Sequence, residues 1–152
     1  MPPESANEVL VGSSSSDHVK IRVLGRSHSG TSDYWDGNWL NCEVSVASGQ
    51  FHGRFIANLR SDEFHRFRAR LTELYRTLSG KAELAPIEQQ IEMTLSGDGK
   101  GHVAVAGVAV DRVGTGNRLT FSFAIDQTYL PLVISSLEAI LAAFPVVGSS
   151  DA

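Results

Sequence analysis

Twice along this chain the spacing of apolar residues changes from alternation to steps of three and four, and the two changes lie 66 residues apart. Phe51, Phe55, Ile56 and Leu59 belong to an extended stretch that gives way to Phe64, Phe67, Leu71, Leu74, Tyr75 and Leu78. Leu119, Phe121, Phe123 and Ile125 alternate and then give way to Leu130, Val133, Leu137, Ile140, Leu141 and Phe144. Alternation describes a strand with one buried face, whereas steps of three and four line one face of an α-helix. A helix with a single apolar face must cover something, and the strands beside it offer a sheet. The same shift takes Val44 to Val110, Phe55 to Phe121, Ala57 to Phe123 and Leu59 to Ile125. Duplication and convergent packing both explain these strand matches.

Other alternating runs complete the picture: Val19, Ile21 and Val23; Leu40, Cys42, Val44 and Val46; Ile87, Ile91, Met93 and Leu95; and Val103, Val105 and Val108 to Val110. Turn residues separate them at Ser48-Gly49, at Ser96 to Gly101 and at Gly114 to Asn117. The expected class is α+β: an antiparallel sheet of about six strands with two helices on one face, built as two strand-hairpin-helix units in pseudo-repeat. Residues 18–147 form the domain, and residues 1–17 and 148–152 read as flexible tails. Val9-Leu10-Val11 is left with the first tail, and Lys81 to Pro86 reads as a connector. Ser61 is the expected N-cap of the first helix and Gly80 its left-handed end. Thr128, rather than Asp126, is expected to cap the last helix, because Pro131 is tolerated only in the first turn.

With 152 residues and 42% apolar content, the chain can bury a core without a staple. The single Cys42 cannot form an internal disulfide, and no apolar run approaches a membrane span. A cytoplasmic protein with no membrane association is expected. Net charge is −4, but Arg60 to Lys81 holds six Lys/Arg against three Asp/Glu, a local +3 that leaves −7 elsewhere. Such an acidic body suits a basic partner through electrostatic steering, and ordinary solubility explains it equally.

Catalytic signatures are lacking. His18, His28, His52, His65 and His102 show no metal-ligand spacing with one another or with Cys42, so neither metal nor cofactor is expected. Gly97-Asp98-Gly99-Lys100-Gly101 resembles a phosphate loop only superficially, since a strand follows it rather than a helix. Arg66, Arg68, Arg70 and Arg76 are interleaved with Asp62 and Glu73 at helical spacing. That reads as a solvated face, against nucleic-acid binding.

Asp33-Tyr34-Trp35-Asp36-Gly37-Asn38-Trp39-Leu40 gathers both tryptophans around two turn dipeptides that can supply positive φ. A structural corner, a partner surface and a small-ligand site all fit this composition. Together with Gly49-x-Phe51, Gly80-x-Ala82-x-Leu84 and Glu88, Asp126-Gln127-Thr128-x-Leu130 and Phe144-Pro145, the run resembles the WapI-type immunity proteins. These are small bacterial cytoplasmic proteins that protect a cell from contact-dependent polymorphic toxins. The resemblance implies a non-enzymatic inhibitor that docks on a cognate toxin domain, and the acidic body suits a basic nuclease toxin. Asp33, Tyr34, Trp35 and Asp36 are the expected partner contacts, because interfaces favour Tyr and Trp. The alternatives are a small-ligand-binding protein or enzyme using the Asp33–Asn38 loop, and a structural homodimer through a sheet edge.

Overall fold

A computed structural model describes residues 7–151. Its strands form two four-stranded antiparallel sheets, each with neighbours in chain order. The first comprises β1 (Glu8–Gly12), β2 (His18–Arg26), β3 (Trp39–Ser48) and β4 (Phe51–Arg60). The second comprises β5 (Ser79–Leu84), β6 (Ile91–Asp98), β7 (His102–Val110) and β8 (Arg118–Asp126). A single turn, α1 (Tyr34–Gly37), interrupts the passage from β2 to β3; α2 (Ser61–Thr77) follows β4, and α3 (Leu130–Ala143) follows β8.

The α+β class is as expected, but two four-stranded sheets replace the single sheet of about six strands. The strands without a sequence signal are β1, inside the expected tail, and β5, which overlaps the expected connector. Each is the edge of its sheet, and each offers few inward side chains: Val9 and Val11 from β1, Ala82 and Leu84 from β5. Tertiary contact supplies what the local pattern lacks. α3 lies against β1, and α2 against β5, so each helix flanks the edge strand of the other half. Residues 1–6 and 152 of the expected tails lie outside the described residues.

One contiguous core takes side chains from both sheets and both long helices. Phe67, Leu71, Leu74, Leu137 and Ile140 are all buried in it, as their spacing implies. Tyr75 is not; it turns outward from α2.

The repeat needs one correction. In the first sheet Val44 pairs with Phe55, and in the second Gly107 pairs with Phe121. Phe55 and Phe121 are 66 apart, but Val44 and Gly107 are 63 apart, because β7 and β8 are joined by a longer loop than β3 and β4. Val44 therefore corresponds to Gly107 rather than Val110. A Cβ at Gly107 would sit 2.6 Å from the Phe121 ring and 2.2 Å from the Glu92 carbonyl oxygen. The second sheet thus gives up a side chain where the first keeps a buried valine.

The helix ends also differ from expectation. Arg60, not Ser61, is the N-cap of α2, and the Glu63 carboxylate reaches back to accept from the Arg60 N–H at 2.7 Å. At the other end Leu78, with φ 61°, is the left-handed C-cap in place of Gly80, which follows it at φ 92°. Gly80 lies in β5. Tyr129, not Thr128, is the N-cap of α3, without a side-chain bond, and Asp126 caps the preceding 3-10 turn over Gln127–Tyr129 by accepting from the Thr128 N–H at 2.8 Å. Pro131 then falls in the first turn of α3, where no intrahelical donor is required.

Candidate functional site: a pinned aromatic turn

The segment between β2 and β3 carries α1. Asp33 is extended, and one oxygen of its carboxylate accepts from the Trp35 and Asp36 N–H groups, both at 3.0 Å. These are donors that a helix start leaves free, so Asp33 nucleates the turn. Asn38 closes it from inside. Its buried amide donates to the Tyr34 and Val147 carbonyls at 2.9 and 3.0 Å and accepts from the Val147 N–H at 2.9 Å. Arg26 adds a second strap, donating to the Gly37 carbonyl at 2.7 Å and the Pro145 carbonyl at 2.6 Å. The turn is therefore fastened to the chain that leaves α3.

The turn dipeptides around Gly37 do not supply positive φ here. Instead Gly37 is helical, and Asn38 has φ −93°. The glycine is needed for close approach: a Cβ there would lie 2.5 Å from the Thr31 carbonyl oxygen and 2.7 Å from a Val147 methyl.

Beneath the turn lies Arg60, only 1% exposed. Its guanidinium donates to the Trp35 and Tyr34 carbonyls, both at 2.7 Å, and to Asp62 at 2.9 Å. The rings of Tyr34, Trp35 and Trp39 surround it at 5.1, 5.6 and 5.0 Å from its central carbon. Asp62 also pairs with Arg66 at 3.1 Å. A buried guanidinium is tolerable because carbonyls, a carboxylate and ring faces replace its water. Glu63 continues the network, its second oxygen accepting from the Ile87 N–H at 2.7 Å. Burial raises its pKa above the ordinary carboxyl value, and the two backbone donors oppose that rise.

Of the four expected contacts, Trp35 is 54% exposed, Asp33 and Asp36 are exposed, and Tyr34 is half-buried with its ring edge-on to Trp35. Asp33 is committed to the cap, whereas the Asp36 carboxylate has no partner among the described residues. Trp39 is half-buried. Sequence reasoning counted Arg60 only as part of a basic stretch. Its role had no local signal, because its aromatic partners lie more than twenty positions upstream.

Elsewhere the chemistry is quiet. Cys42 is fully buried, and desolvation pushes its thiol up to about 12, so it is a packing residue. Among the described residues no group of three or more His, Cys, Asp or Glu side chains could hold a metal. Asp98 organises the β6–β7 turn by accepting from the Lys100 and His102 N–H groups. On α2 the Arg76–Glu73 pair is exposed, as expected of a solvated helix face, whereas the Arg66–Asp62 pair rests on an Asp62 buried against Arg60. Among the described residues no helix is long and apolar enough to cross a membrane.

One family model, that of the Immunity protein WapI-like family, matches residues 10–145. No curated protein sequence matches the chain.

Proposed function

This chain belongs to the WapI-like immunity protein family, and from that premise we propose that it neutralises a cognate toxin by docking α1 on the toxin domain. The observation that carries this reading is Trp35. A tryptophan more than half exposed sits on a turn whose anchors, Arg60 and Asn38, are buried. Exposing so much apolar surface on a rigid support suits a binding centre, where Trp and Tyr dominate and preorganisation limits the entropy lost. Tyr34 flanks the indole, and Asp33 and Asp36 put negative charge at the rim. The acidic body supports a basic toxin domain, a nuclease being the class that fits, met in the cytoplasm. Inhibition by occlusion requires no catalysis from this chain.

The test is to mix the purified protein with the toxin domain encoded by the neighbouring gene and titrate by calorimetry, with Tyr34→Ala and Asp36→Ala alongside. A stable complex weakened by both substitutions is expected. Wild-type affinity in both folded variants would place the contact elsewhere, and no complex at all would refute the docking mechanism.

A further inference from the structure

Beside the aromatic turn runs a groove of about 410 Å³, lined by Ser27, His28, Trp39, Asn41, Asn58 and Glu88. Its wall is tied to α1, because Trp39 and Trp35 pack on the same Arg60 guanidinium at 5.0 and 5.6 Å. Glu88 is half-buried, yet it makes no ion pair or hydrogen bond among the described residues. Its position is fixed from both sides. Ile87 donates its N–H to Glu63, and Gln90 donates to the Ile56 and Val110 carbonyls at 3.3 and 3.2 Å. A partly desolvated carboxylate held on an anchored segment, with no internal cation, is complementary to an external one. No Lys or Arg lines the groove. The neighbouring side chains suit a long cationic stem: Trp39 gives an aromatic wall, and the Asn58 amide has no hydrogen-bond partner among the described residues.

We infer that this groove receives an arginine or lysine side chain of the protein partner, paired with Glu88 and laid against Trp39. The inference rests on the toxin-binding reading and extends its contact surface from α1 to the segment before β6. The guanidinium of an arginine matches a carboxylate with two parallel hydrogen bonds, which gives register as well as affinity.

Glu88→Gln keeps the side-chain shape and removes the charge. Its affinity for the toxin domain is compared with those of wild type and of Glu138→Gln, which changes an exposed carboxylate on α3. Titrations at low and high salt are run after matching melting temperatures. Glu88→Gln should bind roughly tenfold more weakly at low salt and lose less affinity than wild type as salt rises. Glu138→Gln should match wild type. Should Glu88→Gln fail to fold, Asn58→Lys places a cation in the same groove and should weaken binding further. Wild-type affinity in folded Glu88→Gln overturns the groove assignment and leaves the docking of α1 standing. An equal loss in Glu138→Gln reduces the effect to net charge and also overturns it. A wild-type protein that does not bind overturns both readings.

Discussion

The two halves of the molecule share a plan of four strands and a helix, and they differ where the plan does not require it. Between β6 and β7 the chain turns in residues 99–101; the equivalent passage between β2 and β3 spends residues 27–38 and carries α1. The junctions before the helices differ too. Arg60 and Asp126 are 66 apart and stand at matching positions. Asp126 is an exposed cap that serves its own turn. Arg60 is buried and serves a segment far away in sequence, holding Tyr34 and Trp35 by their carbonyls. The second half shows what the fold needs, and the surplus in the first half is what the fold carries. Surplus structure on a rigid scaffold is where binding residues collect.

Substitutions at matching positions separate the shared framework from the surplus. Leu71 and Leu137 are 66 apart and both fully buried. Either Leu→Ala change should cost about 2–5 kcal/mol in denaturant unfolding. If one is costly and the other silent, the two halves do not share a core. Arg60→Ala should cost about 3 kcal/mol, because Asp62 loses its buried partner and two carbonyls lose donors. Asp126→Ala, at the matching position, should cost clearly less; equal losses by thermal melting would erase the distinction between the junctions.

Glu63 and three carboxylates of the second half should respond oppositely to acid. Burial holds Glu63 above the ordinary carboxyl value of 4.5. Folding therefore favours its protonated form. Its ionisation costs stability at neutral pH, and that cost is relieved as pH falls through the raised value toward 4.5. Asp98, Asp111 and Asp126, in the second half, are held below 3.8, Asp98 mainly by the Lys100 N–H, Asp111 by Asn117 and Asp126 by Thr128. Their stabilisation is present above 3.8 and is lost as pH falls through the lowered values. Wild type should gain on Glu63→Gln as a denaturation series descends through the raised Glu63 value. A difference independent of pH would show that Glu63 titrates normally.

Legibility followed periodicity. The two long helices, the six longer strands and the 66-residue relation of β4 and α2 to β8 and α3 were written in apolar spacing that local geometry enforces. β1 and β5 were not, because an edge strand with two inward residues is stabilised by its neighbours rather than by its own pattern. The caps failed for a similar reason. Ser61 is the preferred residue by type, yet its hydroxyl is buried without a partner, and the network around Arg60 decides the helix start. The aromatic turn was visible as a composition. What fixes it was not, since Arg60 and Val147 reach it from distant parts of the chain.

Trp35→Ala isolates the surplus most directly. The side chain is 54% exposed, and its backbone carbonyl bonds Arg60 directly, while its ring is only one of three that face the guanidinium. Stability should stay within about 1 kcal/mol of wild type, while affinity for the toxin domain falls by about 2 kcal/mol or more, roughly thirtyfold. Calorimetric titration of the folded variant decides the matter: a loss of that size makes the turn the binding centre, and unchanged affinity would reduce α1 to a structural corner.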